Sequence, residues 1–275
     1  MEDSSMMAYP QKLMTLVLIT FTFTFTFIST SSSQSILDLV ALNRVFTHRK
    51  IIPKDNNKNA MYCESWRFTV ETNDAGLWAC IPEKCVSFVQ DYMTAGRYSS
   101  DLTAVAHQSL AFANTVRVAN DRMDGWIFDV DETLLSNLPY YVNHGFGSQI
   151  FDEVAFDKWV NEAEAPAIPA SLKLYKELQQ RGFKIFLLTG RSEFQRNDTV
   201  KNLVYAGYSN WERLILRGPS DKGKPATQFK SEKRKELEDE GYRIHGSSGD
   251  QWSDLMGFAV AHRSFKLPNP MYYIA

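Results

Sequence analysis

Short apolar runs recur through the second half of the chain, and stretches with helical spacing separate them. Gly125-Trp126-Ile127-Phe128 has no polar side chain and predicts a buried strand. Lys184-Ile185-Phe186-Leu187-Leu188 and Arg213 to Leu216 predict two more. Tyr242-Arg243-Ile244-His245 predicts a fourth, and Phe265-Lys266-Leu267-Pro268 an edge strand whose end tolerates proline. A helix is expected from Pro169 to Arg181, opened by proline in its first turn and closed by Gly182 at the C′ position. Others are expected after Thr189-Gly190 through about Leu203, and from Ser231 to Glu240, ending at Gly241. The polar segment Gly218 to Thr227 reads as a loop. This alternation describes an α/β core beginning near Gly125.

The first half is helical by the same criterion. Helices are expected over Ser35 to Phe46, Val86 to Ala95 and Asp101 to Ala119. In the last of these, Leu102, Val105, Ser109, Phe112 and Val116 share one side, a stripe suited to packing on the sheet. Thr47 to Ala60 carries several Lys, Arg and Asn residues and reads as a solvated loop rather than a surface for acidic partners.

Composition adjusts this picture at the N-terminus. Leu13 through Ile28 is uncharged and apolar, and Ser29 to Gln34 supplies small polar residues. Residues 1–33 are therefore expected to be a secretory signal peptide. A signal anchor competes, but the run falls short of the roughly 20 residues a spanning helix needs. Nothing later is apolar and long enough to cross a bilayer. The 275 residues, 44% of them hydrophobic, suffice for one large domain or two small ones. A net charge of −2 excludes a global field favouring nucleic acid. Three cysteines fit an oxidising compartment with one thiol left over, and any two could join.

The chemistry concentrates where strands end. Asp129-Val130-Asp131-Glu132-Thr133 follows the first strand directly. If the backbone turns at Val130, both aspartates border one small space. There one carboxylate can attack phosphorus, the other can handle a proton, and a divalent cation can screen their repulsion. Alone, the pentapeptide could equally be an acidic turn with Asp131 or Thr133 capping a helix. Three further segments occupy similar junctions: Thr189-Gly190-Arg191-Ser192 after a strand, Lys230 near a helix start, and Gly249-Asp250-Gln251-Trp252-Ser253-Asp254 after a strand. Ligand sites of open α/β sheets form at the carboxyl ends of strands.

Together these segments resemble the four motifs of the haloacid dehalogenase (HAD) superfamily of phosphatases. Cys63-Glu64-Ser65-Trp66-Arg67, Val70-Glu71-Thr72-Asn73, Phe128 through Asn137, Leu216-Arg217-Gly218, Lys230 through Arg234 and Gly249 through Leu255 are similar to the plant acid phosphatases of subfamily IIIB, a group that includes vegetative storage proteins. The resemblance covers nearly everything after Ala60. It implies a HAD-like Rossmannoid parallel sheet with helices on both faces. It also implies a helical N-terminal extension (34–120) linked by a Cys63–Cys85 disulfide, a core over 121–275, and a buried free Cys80. The insertion from Asn137 to Arg181 is too short for a large cap, so an open site is expected. Its aromatics, Trp159 among them, are expected in the core more than stacked on a leaving group.

The implied activity is Mg²⁺-dependent hydrolysis of small phosphate monoesters. Asp129 would form an aspartyl-phosphate, and Asp131 would serve as general acid and base. The resemblance implies Mg²⁺ ligation by the Asp129 carboxylate, the Asp131 main-chain carbonyl and the Asp250 carboxylate, with Asp254 holding metal waters or the lysine. The Thr189 hydroxyl and Gly190 amide suit phosphoryl oxygens, and Lys230 supplies a fixed positive charge, with Lys233 its rival one turn on. Asp131, among other carboxylates, is expected to hold its proton to higher pH than a free carboxyl. Asp250 alone would read as a helix cap, and Arg191 and Trp252 as structural.

Asn197-Asp198-Thr199 is an N-glycosylation sequon, relevant if the signal operates. The expected compartment is extracellular or vacuolar, and a homodimer is compatible with the sequence. The five histidines share no motif, and no Arg-His-Gly signature of histidine acid phosphatases is present. Departures from the family pattern are Cys80, Phe229 in place of tyrosine, and Ser247-Ser248 before Gly249. A storage or defence protein with a vestigial site is the competing function. A phosphotransferase or phosphosugar-binding module on the same fold is a third.

Overall fold

The computed structural model describes residues 55–274. The expected signal segment 1–33 and the expected helix Ser35 to Phe46 lie outside them. Five parallel strands form one sheet in the order β3-β2-β1-β4-β5. They are β1 (Asp124–Phe128), β2 (Lys184–Ser192), β3 (Arg213–Arg217), β4 (Arg243–Gly249) and β5 (Arg263–Lys266). The central β1 is buried at every position, which explains its unbroken apolar run.

Alternation along the strands divides the core between two faces. Trp126, Phe128, Ile185 and Leu187 face one layer, shared with α3 (Arg97–Ala113), α6 (Pro169–Gln180) and α7 (Arg196–Tyr205). Ile127, Phe186, Leu188 and Ile244 face the other, where α8 (Ala226–Asp239) contributes Phe229 and Leu237. Helices thus cover both faces. Of the expected stripe, Phe112 lies against Trp126 and Phe265, with ring centroids 6.3 and 5.8 Å apart. Gly182, at φ +91°, closes α6: its amide donates to Gln179 and the Phe183 amide to Leu178.

A third apolar cluster joins the N-terminal helices to the insertion and the C-terminal tail. Val89 and Tyr92 of α2 (Val86–Thr94) meet Tyr140 and Tyr141 of α4 (Leu138–Asn143), together with Leu267 and Met271. Cys63 of α1 (Asp55–Glu71) is bonded to Cys85, just before α2. The insertion also carries α5 (Glu153–Glu162), whose first turn is capped by Asp152 accepting from the Ala155 amide.

Several element boundaries differ from expectation. Residues 55–60 are helical rather than loop, because α1, anchored by buried Cys63 and Val70, propagates through a polar stretch that apolar patterning does not register. α3 starts at Arg97 after Gly96 and ends at Ala113, short of Ala119. α8 begins at Ala226 behind Pro225, so Lys230 sits inside a helix rather than at its start. β5 begins at Arg263, because ladder pairing with β4 recruits exposed Arg263 and Ser264 regardless of polarity. Cys80 is half-buried rather than buried, since the segment joining α1 to Cys85 crosses the surface.

Candidate active site

Neighbouring strands β2, β1 and β4 all end on the same side of the sheet, which brings three of the expected motifs together. The Asp129 amide still bonds to the Ser248 carbonyl, extending the β1–β4 ladder by one residue. The chain then turns: the Val130 carbonyl accepts from the Leu134 and Leu135 amides, and Glu132 adopts φ +49°. Asp129 and Asp131 therefore border one space.

α8 delivers the positive charge. Lys230 Nζ donates to Asp129 Oδ1 at 2.6 Å and also bonds Asp254. Lys233, half-buried, pairs with Glu236 instead. Asp250 follows β4; its Oδ2 accepts from Gln251 Nε2 and Asn269 Nδ2, each at 2.7 Å. Asp254 accepts the Gln251 amide at 2.9 Å, so Asp250 is a member of this cluster rather than a helix cap. Gly249 is required here, because an added Cβ would lie 2.3 Å from Asp254 Cβ.

Asp129, Asp250 and Asp254 each offer a carboxylate oxygen, and the three atoms lie within 4.8 Å of one another. All three residues are buried. Burial pushes Asp129 well above the usual carboxylate range, with the surrounding aspartates adding to it and Lys230 opposing. Asp250 is raised to about 7 by burial, then by Asp254 and Glu132. Glu132 is raised to about 7 by burial and by Asp131. Burial would lower Lys230, but the Asp129 and Asp254 charges outweigh it and raise it. Three carboxylates against one ammonium leave excess negative charge in an all-oxygen cluster, which fits a hard divalent cation.

Asp131 behaves differently from expectation. Arg191 grips it, with Nη2 2.7 Å from Oδ1 and Nε 3.1 Å from Oδ2. Burial alone would raise this carboxyl; the Arg191 charge and hydrogen bonds overcome it and hold Asp131 below its ordinary value. Arg191 itself is buried and donates through Nη1 to Thr199 Oγ1 at 3.1 Å. Sequence reasoning left Arg191 structural, although its place directly after Thr189-Gly190 was a usable signal.

Thr189 is buried, and its hydroxyl oxygen accepts the Arg191 amide at 3.2 Å. Gly190 is exposed, with open space before its Cα. Two residues not singled out from sequence complete the site. Asn137 donates to Asp131 and Glu132, and the Tyr272 hydroxyl of the C-terminal tail donates to Glu132 at 2.7 Å. Trp252 bonds the Glu71 carbonyl and braces the loop against α1. Asn197 is exposed in the first turn of α7, while Thr199 of the same sequon is buried beneath Arg191.

The sequence model of the HAD superfamily, subfamily IIIB (Acid phosphatase), matches residues 48–275. The chain belongs to this acid phosphatase family. The acid phosphatase is 52% identical over 234 residues to Acid phosphatase 1 of Solanum lycopersicum, covering 84% of this chain and 92% of that one. It is 35% identical over 243 residues to vegetative storage protein 2 of Arabidopsis thaliana, covering 87% and 91%. Its fold matches the class C acid phosphatase from Bacillus anthracis with a TM-score of 0.58 at 25% identity, over 68% of this chain and 84% of that one. The family resemblance read from the motifs is therefore the family found.

Proposed function

We propose that this acid phosphatase hydrolyses small phosphate monoesters in two steps through a phosphorylated Asp129. The observation that carries the reading is Asp129, buried at the end of the central strand and bonded by Lys230, with Asp131 two residues on and held by Arg191. An Asp129 oxygen attacks phosphorus, and Lys230 balances charge on the transferring group. Asp131 protonates the departing alkoxide. Left ionised, it then draws a proton from the water that cleaves the aspartyl-phosphate. The Thr189 hydroxyl and Gly190 amide, at the end of β2, suit the phosphoryl oxygens.

Asp129, Asp250 and the Asp131 carbonyl would hold Mg²⁺, with Asp254 beside them. When bound, the ion neutralises the negative charge that otherwise keeps two anions apart. The insertion adds two helices rather than a cap domain, which favours an open site accepting varied leaving groups.

Replacing Asp129 with Asn tests the reading directly. Purified wild type with Mg²⁺ should hydrolyse p-nitrophenyl phosphate and lose the activity on chelation. D129N should fall by at least about 10⁴-fold, the scale at which a covalent nucleophile is lost. Undiminished turnover in D129N refutes the mechanism.

A second reading, a storage protein with slow turnover, is favoured by the similarity to vegetative storage protein 2. Abundant accumulation with a kcat far below the usual 1–10³ s⁻¹ range would support it over the enzyme. The Cys63–Cys85 bond supports entry into the secretory pathway, with residues 1–33 then removed. Mass spectrometry of the mature protein would read both the new N-terminus and any glycan at Asn197.

A further inference from the structure

Asn137 lies fully buried between the proposed leaving-group acid and α5, and its side-chain oxygen is bonded to a group that can only donate. Its Nδ2 donates to Asp131 Oδ1 at 2.8 Å and to Glu132 Oε2 at 3.0 Å. Its Oδ1 accepts the indole Nε1–H of Trp159, on α5, at 2.8 Å. An indole N–H can only donate, and an ionised carboxylate can only accept. Turning the amide over would set its NH₂ against the indole donor and its carbonyl against two carboxylates. Trp159 therefore determines which end of the amide faces Asp131.

The consequence falls on the two oxygens of Asp131. Oδ1 receives Arg191 Nη2 at 2.7 Å and Asn137 Nδ2 at 2.8 Å. Oδ2 receives Arg191 Nε, at 3.1 Å, a bond that is shared with Oδ1 at 3.2 Å. A proton on Oδ1 would confront two close donors, whereas Oδ2 is the less occupied oxygen. Resting on the reading of Asp131 as general acid, we propose that Asn137 is a positioning residue. With Trp159 holding its amide in one orientation, it engages Oδ1 and leaves Oδ2 to carry the proton to the departing oxygen. As the bond from Asp129 oxygen to phosphorus forms and the ester P–O bond breaks, that proton moves to the leaving oxygen. The O–H electron pair stays on Asp131 as carboxylate. The insertion thereby gains a role in chemistry through Trp159, beyond filling the core.

A merely structural Asn137 would damage the hydrolysis of every ester alike. A positioning Asn137 would not, because esters differ in their need for a proton. Nitrophenolate departs as a stable anion; an alkoxide does not. The measurement is kcat/KM, with Mg²⁺ present, for p-nitrophenyl phosphate and for glycerol phosphate, on wild type, D131N, N137A, W159F and N137A/W159F. N137A should lose on the order of 10- to 100-fold more toward glycerol phosphate than toward the aryl ester, a part of what a general acid supplies. W159F keeps an aromatic ring while losing the N–H. It should show the same bias at roughly 3- to 10-fold, and the double variant should be no more biased than N137A, because Trp159 acts through Asn137. Equal losses on both esters in N137A and W159F, with bias present in D131N, overturn the positioning role alone. No bias in D131N removes the acid assignment and this proposal with it. Should N137A fail to fold, judged by its thermal transition, W159F decides by the same ratio.

Discussion

Arg191 changes the meaning of the acidic pair. From residue types alone, Asp131 sits among carboxylates and should hold its proton to higher pH. Three-dimensional placement puts a guanidinium across it and reverses the direction. In the proposed mechanism, a general acid of low proton affinity is protonated mainly in acid, so turnover is expected to be favoured at low pH. Removing the guanidinium should then relax this restriction. In R191A, the high-pH limb of kcat/KM, which reports loss of the acid's proton in the free enzyme, is expected to move to higher pH while the maximum falls. A pH–rate profile on glycerol phosphate, whose alkoxide needs the proton, checks it, and an unmoved limb contradicts the coupling. That Asp129, Lys230 and Asp250 come together was legible because each stands at a strand end or on the following helix. Asn137 and Glu132 were not, since their partners Trp159 and Tyr272 lie 22 and 140 residues away in sequence.

At the scale of elements, the N-terminal helices brace the site from outside the sheet. Glu71 at the end of α1 accepts from Lys266 Nζ at 2.8 Å and from the Asn269 amide at 3.0 Å. Asn269 in turn bonds Asp250. The Cys63–Cys85 bond holds α1 to the start of α2, across a sequence separation of 22 residues. A crosslink closing a loop of that length contributes about 3 kcal/mol in the chain-entropy account. The C63S/C85S variant is therefore expected to melt several degrees lower yet retain most of its activity well below that temperature. Thermal melts paired with initial rates decide this; an unchanged transition would mean that the third apolar cluster alone secures α1. Strand positions were the easiest elements to read, because buried parallel strands are continuous apolar runs. Helix ends were harder: α1 extends toward Asp55 beyond its buried positions by propagation, and the first turn of α8 buries Ala226 and Phe229 inside a segment whose polar, Gly- and Pro-containing sequence reads as loop.

Over the whole molecule, folding concentrates unlike amounts of charge at the two ends of the sheet. At the amino end of β1, buried Asp124 is bonded by Arg243 and by His245 Nε2. The Arg243 hydrogen bond leads in lowering its pKa, with burial opposing. That pairing adds stability above the unfolded carboxylate pKa and loses it only as pH falls through the lower folded value. At the carboxyl end, Glu132 and Asp250 are raised to about 7. Between their ordinary values and about 7 the folded state binds more protons than the unfolded state, so stability falls as pH rises through that window. Protein freed of divalent ions is expected to melt higher at pH 5.5 than at pH 7.5. Added Mg²⁺ should raise the transition more at pH 7.5, where it replaces the missing protons. Differential scanning calorimetry in chelator and in excess Mg²⁺ reads both shifts, and identical transitions at the two pH values would count against a charge-strained site.

The amino-acid sequence by itself determined the order of strands and helices, the family, and the aspartates and lysine gathered at strand ends, because apolar periodicity and local motifs are written in consecutive residues. Only the tertiary structure decided which oxygen of Asp131 is occupied, that Arg191 lies across it, and how α5 and the C-terminal tail hold the acidic turn. Those outcomes depend on groups far apart in the chain meeting in a buried, low-dielectric space, where a single hydrogen-bond donor can set the direction of a proton.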